Sequence, residues 1–167
     1  MTTSTAVIVD VDGTLCDVTT ALHHLTGPRR NFHAFHEATA QCPPNPHVLD
    51  WCHQRHAEGH TVIVVTARKY QHETLTVDWL DRHMPVPYVG PLMRGDFDDR
   101  NDNLVKRAIL RIITGEMGYR VVAAIDDRPR VIALWRSLDI PTTVVYRHDW
   151  PASGENYDPT DIPGAST

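Results

Sequence analysis

Two aspartates, Asp10 and Asp12, stand near the start of the chain at the end of a short apolar run, in the sequence AVIVDVDGT. The run Ala6–Val9 is continuously apolar and mostly β-branched, which is typical of a strand buried on both faces of a parallel sheet. Gly13 permits the tight turn that ends the strand. Both carboxylates are therefore expected at the carboxyl end of a central strand, the edge at which open α/β sheets bind ligands.

Three kinds of chemistry suit such a pair, because two close carboxylates repel each other unless a cation separates them or one is protonated. Asp10 would bind a divalent cation through oxygen, and a protonated Asp12 would act as a general acid. An aspartate would also serve as a nucleophile that becomes an aspartyl phosphate. The alternative is a surface turn rich in Asp and Gly. A calcium loop is not supported, because no third acidic residue follows the D-x-D-x-D-G spacing.

A second acidic pair, Asp126-Asp127, ends another apolar run, Arg120–Ile125. Together with Asp10, Asp126 would hold Mg²⁺, which prefers a few carboxylates, several waters and the phosphate oxygens of a substrate. The alternative role for this pair is a helix N-cap, which suits Asp127 because the helix dipole favours an anion at that position.

Thr66 and Arg68 lie at the end of a third apolar run, TVIVVT. The Thr66 hydroxyl and nearby backbone N–H groups suit a phosphate oxygen, and the Arg68 guanidinium matches a phosphate bidentately. A single lysine on a predicted helix, Lys106, is more often solvated than functional, so its spacing alone assigns it no role. Arginines near other predicted strand ends would be solvated or paired with carboxylates in the alternative interpretation: Arg94, Arg128 and Arg130.

Apolar runs with strand character alternate with helical patterns, which predicts an α/β fold, a Rossmann-like parallel sheet with helices on both faces. Right-handed crossovers would bring the carboxyl ends of the strands, and the polar residues that follow them, to one crevice. Strands are expected at 6–9, 61–66, within 85–93, at 120–125 and at 141–146, and the main helices at 45–58, 70–83, 103–117 and 129–138.

About forty residues separate the first two predicted strands, which is more than one crossover helix needs. The surplus, about residues 18–44, is expected to form a small helical cap insertion over the end of the first strand. It would contain a short helix at Thr19–Leu25 and a second helix that Asn31 caps. The chain is expected to be a single domain over residues 1–167, with an irregular tail at 148–167.

Net charge, cysteine count and the length of apolar runs limit the class of protein to which the chain can belong. The formal net charge of −5 argues against a generally basic nucleic-acid binder and leaves room for a local basic surface. Three cysteines without a signal peptide indicate a reduced, intracellular (cytoplasmic) protein, and no apolar run is long enough to cross a membrane. The eleven histidines are expected to be scattered, and zinc is not predicted at His53 and His56 because no C-x-x-C accompanies them.

The ordered set DVDGT at 10–14, Thr66, Lys106 and Asp126-Asp127 resembles the haloacid dehalogenase superfamily of phosphotransferases. The resemblance covers about Ala6 to Tyr146. Within that superfamily the chain most resembles the phosphatase domain of bacteriophage polynucleotide kinases, which removes 3′-phosphates from nucleic-acid ends. The segments that carry this likeness are VVTAR at 64–68, RGDFDDRNDNLVKRAI at 94–109 and AIDDRPRVIALWRSLDI at 124–140.

The resemblance implies a role for each matched residue. Asp10 would attack phosphorus, become the aspartyl phosphate and bind Mg²⁺. Asp12 would protonate the leaving hydroxyl and then activate water, while its backbone carbonyl and Asp126 complete the protein ligands of the metal. The remaining matched residues are implied to hold the phosphoryl oxygens (Thr66, Lys106 and Arg68) or to support the metal and the lysine (Asp127 and Asp102).

The chain also departs from the bacteriophage pattern. It has no G-x-x-x-x-G-K-[ST] stretch, so 5′-kinase activity is not expected. The segment at 18–44 does not match, and Arg29 or Arg30 would supply a second basic contact there. The expected function is Mg²⁺-dependent removal of 3′-phosphates from a DNA or RNA end or a nucleotide, with no membrane partner. The alternatives are a phosphatase of nucleotides or other small phosphomonoesters and, from another class, an inactive binding module.

Overall fold

A computed structural model describes residues 4–146, which form a parallel sheet of five strands in the spatial order β3-β2-β1-β4-β5. The strands are β1 (Thr5–Val9), β2 (Thr61–Lys69), β3 (Tyr88–Arg94), β4 (Arg120–Asp126) and β5 (Thr142–Val144). The helices are α1 (Phe32–Thr39), α2 (Pro46–Ala57), α3 (Glu73–His83), α4 (Asp102–Arg111) and α5 (Pro129–Ser137). The predicted α/β architecture is confirmed.

β1 is the central strand, as its continuous apolar sequence predicts. It pairs in parallel with β2 on one side and β4 on the other, so that Val7 lies opposite Val62 of β2 and Ala123 of β4. Its residues 6–9 are at most 1% exposed. A strand in this position has both faces covered, as is usual in parallel sheets.

Alternate side chains of β1 enter two separate apolar cores. Val7 and Val9 pack on the side that carries α2 and α3, whereas Ala6 and Ile8 pack on the side that carries α4 and α5. Each core contains one tryptophan that is at most 1% exposed, Trp79 in α3 and Trp135 in α5. Helices therefore cover both faces of the sheet, which fixes its carboxyl edge as the place for a functional site.

The segment between β1 and α2 contains two short helices, a 3₁₀ helix at Thr19–Leu25 and α1. Asn31 caps α1, since its Oδ1 accepts a hydrogen bond from the Ala34 N–H at 2.9 Å. Phe35 of α1 is buried in the core that also contains α2 and α3. α1 is thus packed against the body of the fold by its apolar face.

Among the element boundaries that differ from the predictions are those of β2, α3, α4 and β5. The predicted helix at 70–83 begins as the 3₁₀ turn Tyr70–His72, and the predicted strand at 141–146 is limited to Thr142–Val144. β2 continues beyond Thr66 to Lys69, which pairs with Arg94 of β3 after a register shift. α4 ends at Arg111 and continues as a π turn over Ile112–Glu116, a segment that contains the weak helix former Gly115. The predicted irregular tail at 148–167 lies outside the described residues. None of the described helices has the length and apolar character needed to cross a membrane.

Candidate active site

Lys106 of α4 joins the carboxyl ends of β1 and β4. Its Nζ donates hydrogen bonds of 2.7 Å to Asp10 Oδ1 and to Asp126 Oδ2. All three side chains are at most 7% exposed, so little water screens their charges. Burial alone would lower the pKa of Lys106, but the two carboxylates raise it above its ordinary value. Lys106 is therefore a buried cation at the centre of the site, not a solvated surface lysine.

Asp10 is held at both of its carboxylate oxygens. Oδ1 accepts from Lys106, and Oδ2 accepts a hydrogen bond of 2.8 Å from the Thr14 hydroxyl. Burial raises the pKa of Asp10 to about 7; the neighbouring carboxylate of Asp126 adds to the rise, and Lys106 opposes it. The predicted nucleophile thus has a fixed orientation and needs more positive charge nearby to stay fully ionised.

Asp127 brings a third carboxylate to the same place. One ligand oxygen each from Asp10, Asp126 and Asp127 lies within 4.8 Å of the others, and all three residues are buried. Lys106 places one ammonium group against these carboxylates. A buried set of hard oxygen donors fits a divalent cation such as Mg²⁺. The Asp12 side chain does not belong to this cluster, because it lies against Arg68.

Asp12 forms a bidentate pair with Arg68. Oδ2 accepts from Arg68 Nε at 2.8 Å, and Oδ1 accepts from Nη2 at 2.5 Å. Burial would raise the pKa of Asp12, but the guanidinium lowers it to about 2. Nδ1 of His36 is 3.8 Å from Asp12 Oδ2, yet burial lowers the pKa of His36 to about 4. The imidazole is therefore neutral at neutral pH, and Arg68 is the main positive charge beside Asp12, with a smaller contribution from Arg128.

Arg68 also joins α1 and α3 to the end of β2. Its Nη1 donates to Thr76 Oγ1 of α3 at 3.0 Å, and its Nη2 donates to Thr39 Oγ1 of α1 at 2.9 Å. Thr66, the other predicted phosphate ligand, is buried nearby, and its Oγ1 accepts from the Arg68 backbone N–H at 3.2 Å. Sequence reasoning selected Arg68 and Thr66 but missed the two threonines that hold the guanidinium.

Asp102 pairs with Arg94 at the start of α4. Its Oδ1 accepts from Arg94 Nη2 at 2.5 Å. The Arg94 side chain also donates to the backbone carbonyls of Ala67, Asp98 and Arg100. Arg94 thereby fixes the loop between β3 and α4 and the first turn of the helix that carries Lys106. The support that the sequence predicts from Asp102 for Lys106 would therefore act through the start of α4.

A cavity of about 460 Å³ opens at the carboxyl edge of the sheet, and Asp10, Asp12 and Thr66 are among its lining residues. Six basic and four acidic side chains line it, which is opposite in sign to the net charge of −5 of the whole chain. The basic residues are Arg68, Lys69, Arg94, Arg100, Lys106 and Arg128. Arg29 and Arg30 are exposed and lie outside this lining.

Three histidines line the same cavity, although the sequence predicted scattered histidines. His33 and His36 come from α1, and His72 comes from the 3₁₀ turn Tyr70–His72 after β2. The ring centroid of His72 lies 4.7 Å from that of His36 and 5.4 Å from that of His33. Burial is the main cause that lowers the pKa of His72. The spacing of His33 and His36 on one helix was the only sequence signal, because His72 reaches them through tertiary packing.

Comparison with known proteins identifies the family of this chain. The model of the family described as the polynucleotide kinase PNKP phosphatase domain matches residues 4–150. The chain belongs to the PNKP phosphatase domain family. It is a phosphatase of the haloacid dehalogenase superfamily, as the order of its motifs predicts.

Two relatives are larger than this PNKP phosphatase domain. A protein of Autographa californica nuclear polyhedrosis virus, named a bifunctional polynucleotide kinase/RNA ligase, is 31% identical over 140 residues, or 82% of this chain and 18% of that protein. A chain of the Pnkp1/Rnl/Hen1 complex is 29% identical with a TM-score of 0.69, over 87% of this chain and 47% of that chain. The chain thus spans less than half of either relative.

More distant structures share the fold alone. The class C acid phosphatase from Bacillus anthracis is 13% identical with a TM-score of 0.59, over 87% of this chain and 69% of that chain. At such identity the similarity shows only that the arrangement of strands and helices is common to both proteins.

The Asp12–Arg68 pair should make the stability of the PNKP phosphatase domain depend on acid pH. The pKa of Asp12 is about 2 in the folded protein and 3.8 ordinarily, so the pair stabilises the fold above about pH 4. This contribution, about 2 kcal/mol, should be lost as the pH falls from 4 to 2. Urea unfolding of wild type and Asp12→Asn across this range measures it, because the variant lacks the titrating group. Parallel pH dependences for the two proteins would contradict the assignment.

Proposed function

We propose that this PNKP phosphatase domain hydrolyses 3′-phosphates at the ends of DNA or RNA through an aspartyl phosphate on Asp10. The observation that carries the proposal is the buried Asp10 carboxylate, held by Lys106 and Thr14 in a cavity that is lined by more basic than acidic side chains. A nucleophile restrained at both oxygens has a single direction of attack. The basic lining attracts the anionic substrate that the family is built to hydrolyse.

The reaction proceeds in two displacement steps. An oxygen of Asp10 attacks phosphorus, and the bond between phosphorus and the substrate 3′-oxygen breaks as Asp12 gives a proton to that oxygen. Asp12 then takes a proton from water, which attacks phosphorus, and the bond between Asp10 and phosphorus breaks to release inorganic phosphate. Lys106 and Thr66 donate hydrogen bonds to phosphoryl oxygens, where charge accumulates in both transition states.

The contact with Arg68 controls whether Asp12 can act as the acid of the first step or as the base of the second. With the guanidinium in place Asp12 is ionised, because its pKa is about 2, and it is ready to act as the base of the second step. A phosphate dianion competes for the same guanidinium, whose planar donors match two phosphate oxygens. As Arg68 shares its donors with the substrate, the pKa of Asp12 rises and the carboxyl can carry the proton needed in the first step.

Mg²⁺ would be held by Asp10, Asp126 and the backbone carbonyl of Asp12, with Asp127 beside them. The clustering of three buried carboxylates supports this assignment. The bound ion would supply positive charge to the phosphoryl oxygens. Asp102 would support Lys106 indirectly, because its pairing with Arg94 fixes the start of the helix that carries the lysine.

Nucleic-acid ends are the proposed substrate because of the relatives and the cavity together. The relatives are named a polynucleotide kinase/RNA ligase and part of an RNA repair complex. Removal of a 3′-phosphate leaves the 3′-hydroxyl that end joining needs, so a ligase is the partner activity in such a repair. Lys69 and Arg100 are the more exposed basic residues of the cavity wall, with side chains 33% and 54% exposed. Lys69 is paired with Asp99 and Arg100 with Asp98, and each would exchange or share that carboxylate to contact a neighbouring phosphate.

Replacing the nucleophile should abolish turnover. Asp10→Asn keeps the shape of the side chain but removes the charge needed for attack, so hydrolysis of a generic phosphomonoester should fall to background while circular dichroism is unchanged. Asp50→Asn, at an exposed position of α2, is the matched control and should retain full activity. Retention of more than about a tenth of the activity by Asp10→Asn, a loss of only ~1.4 kcal/mol, would refute the covalent mechanism.

The metal assignment is tested by Asp126→Asn. Loss of a ligand charge should raise the half-saturating Mg²⁺ concentration at least about tenfold, because changes even to the groups behind a metal ligand cost 10–100-fold. The measurement is a Mg²⁺ titration followed both by phosphatase activity and by the melting temperature. Identical titrations for Asp126→Asn and wild type would remove Asp126 from the metal site.

Substrate choice is tested with 3′-phosphorylated oligonucleotide, 5′-phosphorylated oligonucleotide and 3′-mononucleotide at equal concentration. We expect the 3′-phosphorylated oligonucleotide to be preferred, and its kcat/KM to fall more steeply with salt than that of the mononucleotide, because each phosphate contact releases counterions. Lys69→Ala and Arg100→Ala should each reduce the salt slope by about one contact. Arg55→Ala, near the amino end of β2 and paired with Glu58, is the control.

Equal turnover of oligonucleotide and mononucleotide with equal salt slopes would replace the proposal with a nucleotidase. That result would leave the chemistry at Asp10 intact, because the phosphate pocket serves either substrate.

A further inference from the structure

A second group of metal-ligand side chains lies apart from the buried carboxylates. It consists of His33 and Glu37 of α1 and of His72 after β2, each with one ligand atom within 4.8 Å of the others. The cluster combines two imidazoles with one carboxylate. Imidazole nitrogen suits Zn²⁺ and related transition metals, whereas the all-oxygen cluster at Asp10 suits Mg²⁺.

The two helical ligands share one face because they are four residues apart. Residues at i and i+4 are neighbours on a helix surface, so His33 and Glu37 both face outward from α1 at exposed positions. Such side chains can turn toward an ion with little cost to packing. The Asn31 cap fixes the start of the helix and hence the position of His33.

His72 supplies the fixed element of the cluster. It is only 4% exposed, so packing restricts the orientation of its ring. The His36 ring, whose centroid lies 4.7 Å away, packs against it. Zinc bonds of about 2.0–2.2 Å require ligand atoms somewhat closer together than 4.8 Å, a shift that the two exposed side chains can provide.

We propose that His33, Glu37 and His72 form a transition-metal site of the Zn²⁺ class, which links α1 to the chain after β2. His33 and His72 line the cavity, so the ion adds positive charge to its wall without sharing a ligand with the Asp10 cluster. The site also restrains α1, whose last residue, Thr39, bonds to Arg68. This inference does not depend on which phosphate ester the domain hydrolyses.

Zn²⁺ titration calorimetry with excess Mg²⁺ present tests the proposal, and Co²⁺ absorption reports the ligand geometry. We expect one Zn²⁺ to bind per chain and to raise the melting temperature. Bound Co²⁺ should absorb in the visible range with the intensity typical of an ion with few ligands. His33→Gln and Glu37→Gln, both at exposed positions, should each weaken Zn²⁺ binding at least about tenfold and remove the rise. Their unchanged melting temperatures without Zn²⁺ would show that the fold is intact.

His53→Gln and His56→Gln are the matched controls, because these histidines are exposed on α2 and come from one helix only. Both should bind Zn²⁺ like wild type. Binding that is lost in the α2 variants, or equally retained in all four variants, would overturn the site. So would Zn²⁺ binding that Asp126→Asn abolishes, since the ion would then occupy the carboxylate cluster. Phosphatase activity with Mg²⁺ alone is measured separately, so failure of the zinc site leaves the proposed function untouched.

Discussion

The concentration of negative charge at one sheet edge is the constraint on which the site depends. One oxygen from each of three buried carboxylates lies within 4.8 Å of the other two. Burying a charge without a partner costs several kcal/mol. Lys106 compensates part of this charge only because α4 delivers its ammonium between Asp10 and Asp126. The Arg94–Asp102 pair at the start of α4 is therefore part of the same electrostatic arrangement, although it lies away from the reacting atoms.

Two aspartates separated by one residue have opposite surroundings. Burial and a neighbouring carboxylate raise the pKa of Asp10, whereas a guanidinium lowers that of Asp12. Groups whose environments drive their pKa values apart commonly have different roles in acid–base chemistry. The separation arises because Asp10 faces β4 and α4, while Asp12 faces β2 and α1. One short motif thus supplies two chemically distinct carboxyl groups.

Much of the site could be predicted because apolar strands end at the residues that carry chemistry. Asp10, Thr66 and Asp126 each stand at the end of such a run, and parallel strands bring those ends together. The threonines that hold the active-site guanidinium, Thr39 and Thr76, could not be predicted, since no periodic pattern links residues of separate helices. The cluster of His33, Glu37 and His72 could not be predicted for the same reason, because its residues come from two separate elements. The extension of β2 was missed because its last residues are polar and are stabilised by pairing with β3.

The position of Asp10, the proposed nucleophile, depends on a contact with a residue much later in the sequence. The Asp10 N–H donates to the carbonyl of Ile125 at 3.2 Å, and β1 pairs with both β2 and β4. Parallel pairing of this kind closes long loops before its contacts form. During synthesis, a chain that has not yet reached β4 contains the DVDGT motif but lacks this carbonyl and the Asp126 acceptor of Lys106. The arrangement of Asp10, Lys106 and Asp126 therefore assembles only after β4 has been made, more than a hundred residues after Asp10.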